Sequence, residues 1–242
     1  MRHFENKVAV ITGGNSGIGY AAAKAFSENG ARVIVTGRRR DAVEKAASDL
    51  KVTGLIADQS SLTDIERLVS EVAENFSKID ILLINAGITK TAMIELMTES
   101  IYDEVMNVNL KGAYFTLSRF IPLLNDNASV IIVSSTSATI SPQTASVYAA
   151  SKAAINAVVK IAALELASRK IRINAVSPGP VATEIMNKIG LNDTMEEHML
   201  RSIPLSRFGK AEEVADMIAY LAGDNAAFIT GANFLVDGGQ SI

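Results

Sequence analysis

Val8-Ala-Val-Ile-Thr-Gly-Gly-Asn-Ser-Gly-Ile-Gly-Tyr-Ala-Ala-Ala-Lys-Ala-Phe-Ser-Glu28 carries a strand, a loop and a helix in one unbroken run. Val8–Thr12 is apolar and β-branched, as a strand covered on both faces requires. Tyr20–Glu28 is alanine-rich and suits a helix. Between them, closely spaced glycines let the backbone turn tightly and approach a ligand. The helix behind the loop offers unsatisfied N–H groups and a positive dipole end to an anion. Gly13, Asn15, Ser16, Gly17, Ile18 and Gly19 are therefore candidate contacts for a pyrophosphate. The spacing Gly-x3-Gly-x-Gly departs from the standard dinucleotide fingerprint Gly-x-Gly-x-x-Gly, and a tight turn that binds nothing is the alternative.

Outward from this unit, short β-branched runs alternate with longer helical patterns. Arg32–Thr36 precedes Asp41–Leu50, Gly54–Ala57 precedes Leu62–Phe76, and Ile81–Asn85 precedes a helical region from about Ser100 to Leu124. Val130–Ser135 then leads to a helix over about Val147–Ser168, and strands at Arg172–Val176 and Asn233–Val236 flank a helix around Glu212–Leu221. Near-continuous apolar strands such as Val130-Ile-Ile-Val133 belong to a sheet with helices on both faces, so the alternation predicts a doubly wound, parallel α/β sheet of Rossmann type. No repeat or Pro/Gly-rich linker divides the chain, and one domain over residues 1–242 is expected. The alternation lapses only between Gly179 and about Lys210, where a long connection suits a lid.

Bulk properties narrow the function. The chain has 23 basic and 26 acidic residues, a formal charge of −3. No basic stretch extends beyond Arg38-Arg39-Arg40, so no nucleic-acid partner is expected. Cysteine is absent, which excludes disulfides and thiolate metal sites and suits a reducing compartment. The two histidines, His3 and His198, stand far apart, and no metal is expected. Residues 1–7 fit no secretory signal and no apolar run reaches the roughly 18 residues of a membrane span, so a soluble, cytoplasmic protein is expected.

Tyr148 and Lys152 stand four residues apart in Ser146-Val-Tyr-Ala-Ala-Ser-Lys152 and share a face if the segment is helical. Bringing a tyrosine from its reference pKa of about 10 to near 7 takes roughly 4 kcal/mol. A cation about 4 Å away supplies up to about that much at an effective dielectric near 20. The pair can therefore run proton transfer, although a Tyr/Lys pair on a solvated helix face is the plainer reading when taken alone.

Thr12–Gly19, Asn85-Ala86-Gly87, Asn109, Ser135, Tyr148-Ala-Ala-Ser-Lys152 and Pro178-Gly179 together resemble the short-chain dehydrogenase/reductase family in its compact form. The matches run from residue 8 to residue 183, and the ending Gly231-Ala-Asn-Phe-Leu-Val-Asp-Gly-Gly239 is similar as well. The resemblance implies that Tyr148 is the catalytic acid/base and that Ser135 hydrogen-bonds the same substrate oxygen. Lys152 would lower the tyrosine pKa and bond the nicotinamide ribose, and Asn109 would hold a proton-relay water. It further implies that Asn85, Ala86 and Gly87 support the cofactor, Asn85 by bonding adjacent strands. Asp58 would contact adenine, and Pro178, Gly179, Val181 and Thr183 would border the nicotinamide. NAD-preferring members carry an acid after the second strand, where this chain has Gly37 and then Arg38-Arg39. Arginine suits a 2′-phosphate, so NADP is expected rather than NAD.

In this family the segment of about residues 184–205 covers the substrate, and its Met186, Ile189, Leu191, Met195, Met199 and Leu200 suit an adaptable apolar pocket. Ala153–Ala163 is apolar on most of its circumference, and relatives use that helix between copies, so a homotetramer is expected, with a dimer as the alternative. The expected activity is NADP-dependent hydride transfer between nicotinamide and a small carbonyl or secondary-alcohol substrate. One alternative is a 3-oxoacyl-carrier-protein reductase, which Ile88-Thr-Lys90 and Arg169 resemble in place, although Asn125-Asp-Asn-Ala128 lacks the base that such a protein uses to grip its acidic carrier. Another is a non-catalytic NADP-binding sensor or scaffold.

Overall fold

The structure is a computed structural model that describes residues 3–140, 142–183 and 193–242. The apolar runs form β1 (Val8–Thr12), β2 (Arg32–Gly37), β3 (Thr53–Ile56), β4 (Ile79–Ile84), β5 (Leu124–Val133), β6 (Arg172–Pro178) and β7 (Asn233–Val236). They make one seven-stranded sheet in the order β3-β2-β1-β4-β5-β6-β7, and every adjacent pair is parallel. The helices are α1 (Gly17–Glu28), α2 (Arg40–Leu50), α3 (Leu62–Phe76), α4 (Glu99–Met106), α5 (Ala113–Phe120), α6 (Ser146–Glu165), α7 (Asp193–Arg201) and α8 (Ala211–Ala222).

Pleating sends successive strand residues to opposite faces. Val10, Ile34, Leu82, Val130 and Ile132 meet Phe120, Ile155 and Val159 in one core layer. Ile11, Val35, Leu83 and Ile131 meet Phe26, Val214 and Ile218 in the other. Both faces are therefore buried, which is why the strands read as continuous apolar runs. Strand order reverses between β1 and β4, and in open parallel sheets a crevice forms at the carboxyl ends beside such a point. The glycine loop leaves β1 and Asn85 leaves β4 there.

Two elements differ from the sequence expectation. The helical region expected over about 100–124 divides into α4, a wide π turn over Asn107–Gly112, α5 and a short 3-10 turn at Ile121–Leu123. Gly112 allows the chain to run against the segment after β3, since a Cβ there would lie 2.0 Å from the Gln59 carbonyl oxygen. The strand expected from Val130 begins earlier, and Asn125–Ala128 forms an irregularity inside β5, where Asn127 has φ 65° and the register shifts after Leu124 pairs with Ile79. The 20-residue α6 is long and apolar enough in composition to cross a membrane, but Val147, Ile155, Val159 and Ala163 are buried in this fold.

Candidate active site

The glycine loop is held in shape by its neighbours. Gly13 has φ +63° in the left-handed region, and a Cβ there would stand 2.9 Å from Ala86 Cα. A Cβ at Gly19 would lie 2.3 Å from the Gly13 carbonyl oxygen and 2.5 Å from Asn85 Nδ2. Asn85 Nδ2 donates to the carbonyls of Thr12 at 3.1 Å and Gly13 at 3.0 Å, while Thr12 Oγ1 accepts from the backbone N–H groups of Asn85 and Ala86, each at 3.1 Å. Asn85 thus ties β4 to the loop. Ser16 precedes α1 and makes no side-chain capping bond, so the first-turn N–H groups stay open toward an anion.

A cavity of about 650 Å³ runs along these carboxyl ends. Gly13, Asn15, Ser16, Gly17 and Ile18 line its first part, with Arg38, Arg39 and Asp58 at the same end. Arg38 is exposed, and Arg40 pairs with Glu44 at 3.2 Å along α2. Asp58 Oδ1 accepts from Ser60 N–H and Oγ, each at 2.8 Å. Asn85, Ala86 and Gly87 line the middle, and Pro178, Gly179, Val181 and Thr183 close one side. Thr183 also abuts the loop, because a Cβ at Gly17 would lie 3.3 Å from its Cγ2. Gly19 sits behind the loop rather than on the cavity wall.

Ser135, Tyr148 and Lys152 converge on the far part. Ser135 Oγ accepts from Ser137 N–H at 3.1 Å. Burial pushes the Tyr148 pKa above its ordinary value, and the neighbouring hydroxyls of Ser135 and Thr89 pull against it. Burial also lowers the Lys152 ammonium to about 8. Its Nζ donates to the Val133 carbonyl at 2.9 Å and stands 5.9 Å from the Tyr148 ring centroid. The lysine therefore lies over the ring.

Asn109 stands one layer behind the cavity wall, in the π turn. Its Oδ1 accepts from Ile88 N–H at 2.9 Å, and its Nδ2 donates to the Ile88 carbonyl at 2.9 Å and to Ser151 Oγ at 3.2 Å. The side chain is fully engaged in holding the segment after Gly87. Gln59, which the sequence reading did not single out, does similar work: its Nε2 donates to the Ala86 carbonyl at 2.8 Å and the Val108 carbonyl at 3.0 Å. Gln240 joins Thr136 at 3.4 Å to Ser202 at 3.2 Å, beside the end of α7. Neither glutamine belongs to a spacing that marks it in the sequence; each is defined by partners distant along the chain. Of the expected lid, Met199 lines the cavity, whereas Met186, Ile189 and Leu191 lie outside the described residues.

A family model described as Enoyl-(Acyl carrier protein) reductase matches residues 13–241. The chain is 39% identical over 245 residues to 3-oxoacyl-(acyl-carrier-protein) reductase FabG of Thermotoga maritima, covering 98% of this chain and 99% of that protein. Among solved structures, a short-chain dehydrogenase/reductase from Serratia marcescens is similar with a TM-score of 0.94 and 33% identity, over 99% of this chain and 100% of that one. A 3-ketoacyl-(acyl-carrier-protein) reductase from Brucella melitensis complexed with NADH matches at a TM-score of 0.91 and 33% identity, again over 99% and 100%. By sequence, sheet topology and family model alike, the chain belongs to the short-chain dehydrogenase/reductase family of NAD(P)-dependent oxidoreductases.

Proposed function

We propose that this protein is an NADP-dependent oxidoreductase that reduces a small carbonyl compound, or oxidises the corresponding secondary alcohol, with Tyr148 as the acid/base. The observation that carries the reading is the convergence of Ser135, Tyr148 and Lys152 on one part of a cavity whose other end is the glycine loop. The residues present fit a dinucleotide, because glycine loop positions with no room for a Cβ leave the backbone itself as the wall. When bound, the nicotinamide supplies or accepts the hydride. Charge then develops on the substrate oxygen, which Tyr148 neutralises with its proton while Ser135 hydrogen-bonds the same atom. Lys152 and the Asn85–Gly87 segment would hold the nicotinamide ribose, and Asn109 would position that segment from behind.

The preference for NADP rests on Arg38 and Arg39 at the adenosine end and on Gly37, rather than an acid, at the end of β2. A side chain at Gly37 would meet Asn15 Oδ1 at 2.4 Å, so the position offers no place for a ribose-binding carboxylate unless Asn15 moves. Asp58 remains the candidate for adenine. Residues 184–205 are proposed as the substrate lid of a single-domain protein, supported by Met199 on the cavity wall. Assembly as a homotetramer is supported by Ile161 and Leu164, exposed on α6 at 58% and 80%. A cytoplasmic location accords with a chain free of cysteine.

A second reading, reduction of a 3-oxoacyl thioester on acyl-carrier protein, draws support from the name of the Thermotoga relative. Against it, Arg169 bonds Asp126 at 3.0 Å and the Ile121 carbonyl at 3.0 Å, so its guanidinium is already engaged within the chain. NADPH consumption across ketones, 3-oxoacyl thioesters, sugars and quinones decides between the substrates. On whichever compound turns over, Tyr148→Phe should lower the rate by roughly 10²–10⁴, the usual worth of acid–base catalysis. Retention of most of the rate, with chemistry limiting, removes Tyr148 as the acid. No turnover on any compound, with NADPH bound, points to a sensor or scaffold.

A further inference from the structure

Two side-chain amides brace the segment that leaves β4, and the function proposed above uses only one of them. Asn109 holds Ile88 through its N–H and its carbonyl, each at 2.9 Å. The other amide is Gln59, which follows Asp58 just after β3 and is 8% exposed. Its Nε2 donates to the Ala86 carbonyl at 2.8 Å and to the Val108 carbonyl at 3.0 Å, so both of its N–H donors are committed. Its Oε1 is buried with no hydrogen-bond partner among the described residues, so the two donors alone orient the amide. Turning the amide over would set that oxygen against two carbonyl oxygens. The backbone behind the side chain is held as well. Asp58 N–H donates to Asp64 Oδ2 at 2.9 Å, and the π turn packs against the Gln59 carbonyl so closely that Gly112 has no room for a methyl.

Gly87 lies between the two braced residues. A Cβ there would stand 3.3 Å from Asn109 Oδ1 and 3.4 Å from Lys152 Nζ, so the open side of Gly87 faces the ammonium. Gln59 thus starts beside Asp58 at the adenosine end of the cavity and reaches the backbone next to Lys152 at the other. We infer that Gln59 is a positioning residue for the nicotinamide half of the dinucleotide: acting through the Ala86 carbonyl, it holds Gly87 against Lys152, where the nicotinamide ribose is proposed to sit. Its own amide is committed to the two carbonyls, so it has no part in binding the adenosine half, although its neighbour Asp58 is the candidate for adenine. Loss of the donors leaves two carbonyls facing a side chain that offers them nothing, and the Ala86–Ile88 backbone is then braced on one side only. The inference rests on the dinucleotide reading proposed above.

Direct titration of NADP+ and of 2′,5′-ADP, the adenosine half with its 2′-phosphate, separates the two halves of the cofactor. Gln59→Met keeps the length of the side chain and removes both donors. It should weaken NADP+ by about 10-fold or more, the combined worth of two neutral hydrogen bonds, and change 2′,5′-ADP by less than about 2-fold. A residue that only fills space would be replaced by methionine without that split. Should Gln59→Met fail to fold by circular dichroism, Gln59→Asn, whose amide falls one methylene short of the two carbonyls, carries the same comparison. If the wild type takes NAD in preference, NAD+ and ADP are the pair to titrate. Equal losses for the dinucleotide and its adenosine half overturn the inference, because Gln59 would then serve the adenine pocket or the fold at large, and no loss for either overturns it as well. Failure of the dinucleotide reading shows itself separately, as a wild type that binds neither NADP+ nor NAD+, and the inference falls with it.

Discussion

Replacing Lys152 with methionine should make the protein more stable and inactive at once. The ammonium is 5% exposed, has the Val133 carbonyl as its hydrogen-bond acceptor, and is lowered by burial from 10.5 to about 8. A shift of about two and a half units corresponds to about 3 kcal/mol against the charged form in the folded state. Methionine removes that penalty and loses one hydrogen bond, which costs about 1 kcal/mol. The net gain near pH 7 is about 2 kcal/mol, or a Tm higher by roughly 4–8 °C for a chain of this size. Between pH 8 and 10.5 the folded lysine sheds a proton that the unfolded chain still holds, so wild-type stability rises with pH in that window and the penalty fades. The Tm gap between variant and wild type should therefore be widest below pH 8 and close by about pH 10. Thermal unfolding at matched protein concentration without nucleotide, at pH 7 and pH 10, measures it. A methionine variant that melts below wild type at pH 7, or a gap that does not change with pH, would refute the reasoning.

Two further outcomes separate the ends of the nucleotide cleft. Arg38→Ala should weaken NADPH by roughly 10- to 100-fold through loss of a charge-assisted bond and leave NADH little changed; titration of both nucleotides checks it, and a wild type that binds NADH at least as tightly as NADPH withdraws the NADP preference. Gly19→Ala places a methyl 2.3 Å from the Gly13 carbonyl oxygen, so the loop must shift and both nucleotides should weaken together. A variant that bound NADH normally would show the loop can absorb the methyl elsewhere.

What the sequence made legible is what is local in it. The strand, loop and helix of Val8–Glu28 are contiguous, and Tyr148 and Lys152 meet because a helix brings i and i+4 together. The alternation of short and long apolar patterns foretold the parallel sheet. The π turn around Asn109 was not legible, because it depends on Gly112 meeting the Gln59 carbonyl, a contact between distant segments. The same holds for Gln59 itself, whose amide bridges Ala86 and Val108. The position of Lys152 over the ring of Tyr148, with its ammonium on Val133, is likewise a result of burial that spacing does not encode.

The central place of β1 in the sheet has a consequence during synthesis. Val8 finds Arg32 on β2 soon after both have left the ribosome, but Ala9 must wait for Ile81 on β4 before its other edge is paired. At roughly 5–20 residues per second, that leaves the most apolar early strand with an open backbone edge for several seconds. An unpaired, flat, apolar edge is a template for the wrong partner, including the same strand on a neighbouring nascent chain. The strand that ends in the nucleotide loop is thus also the stretch most in need of shelter while the rest of the molecule is being made.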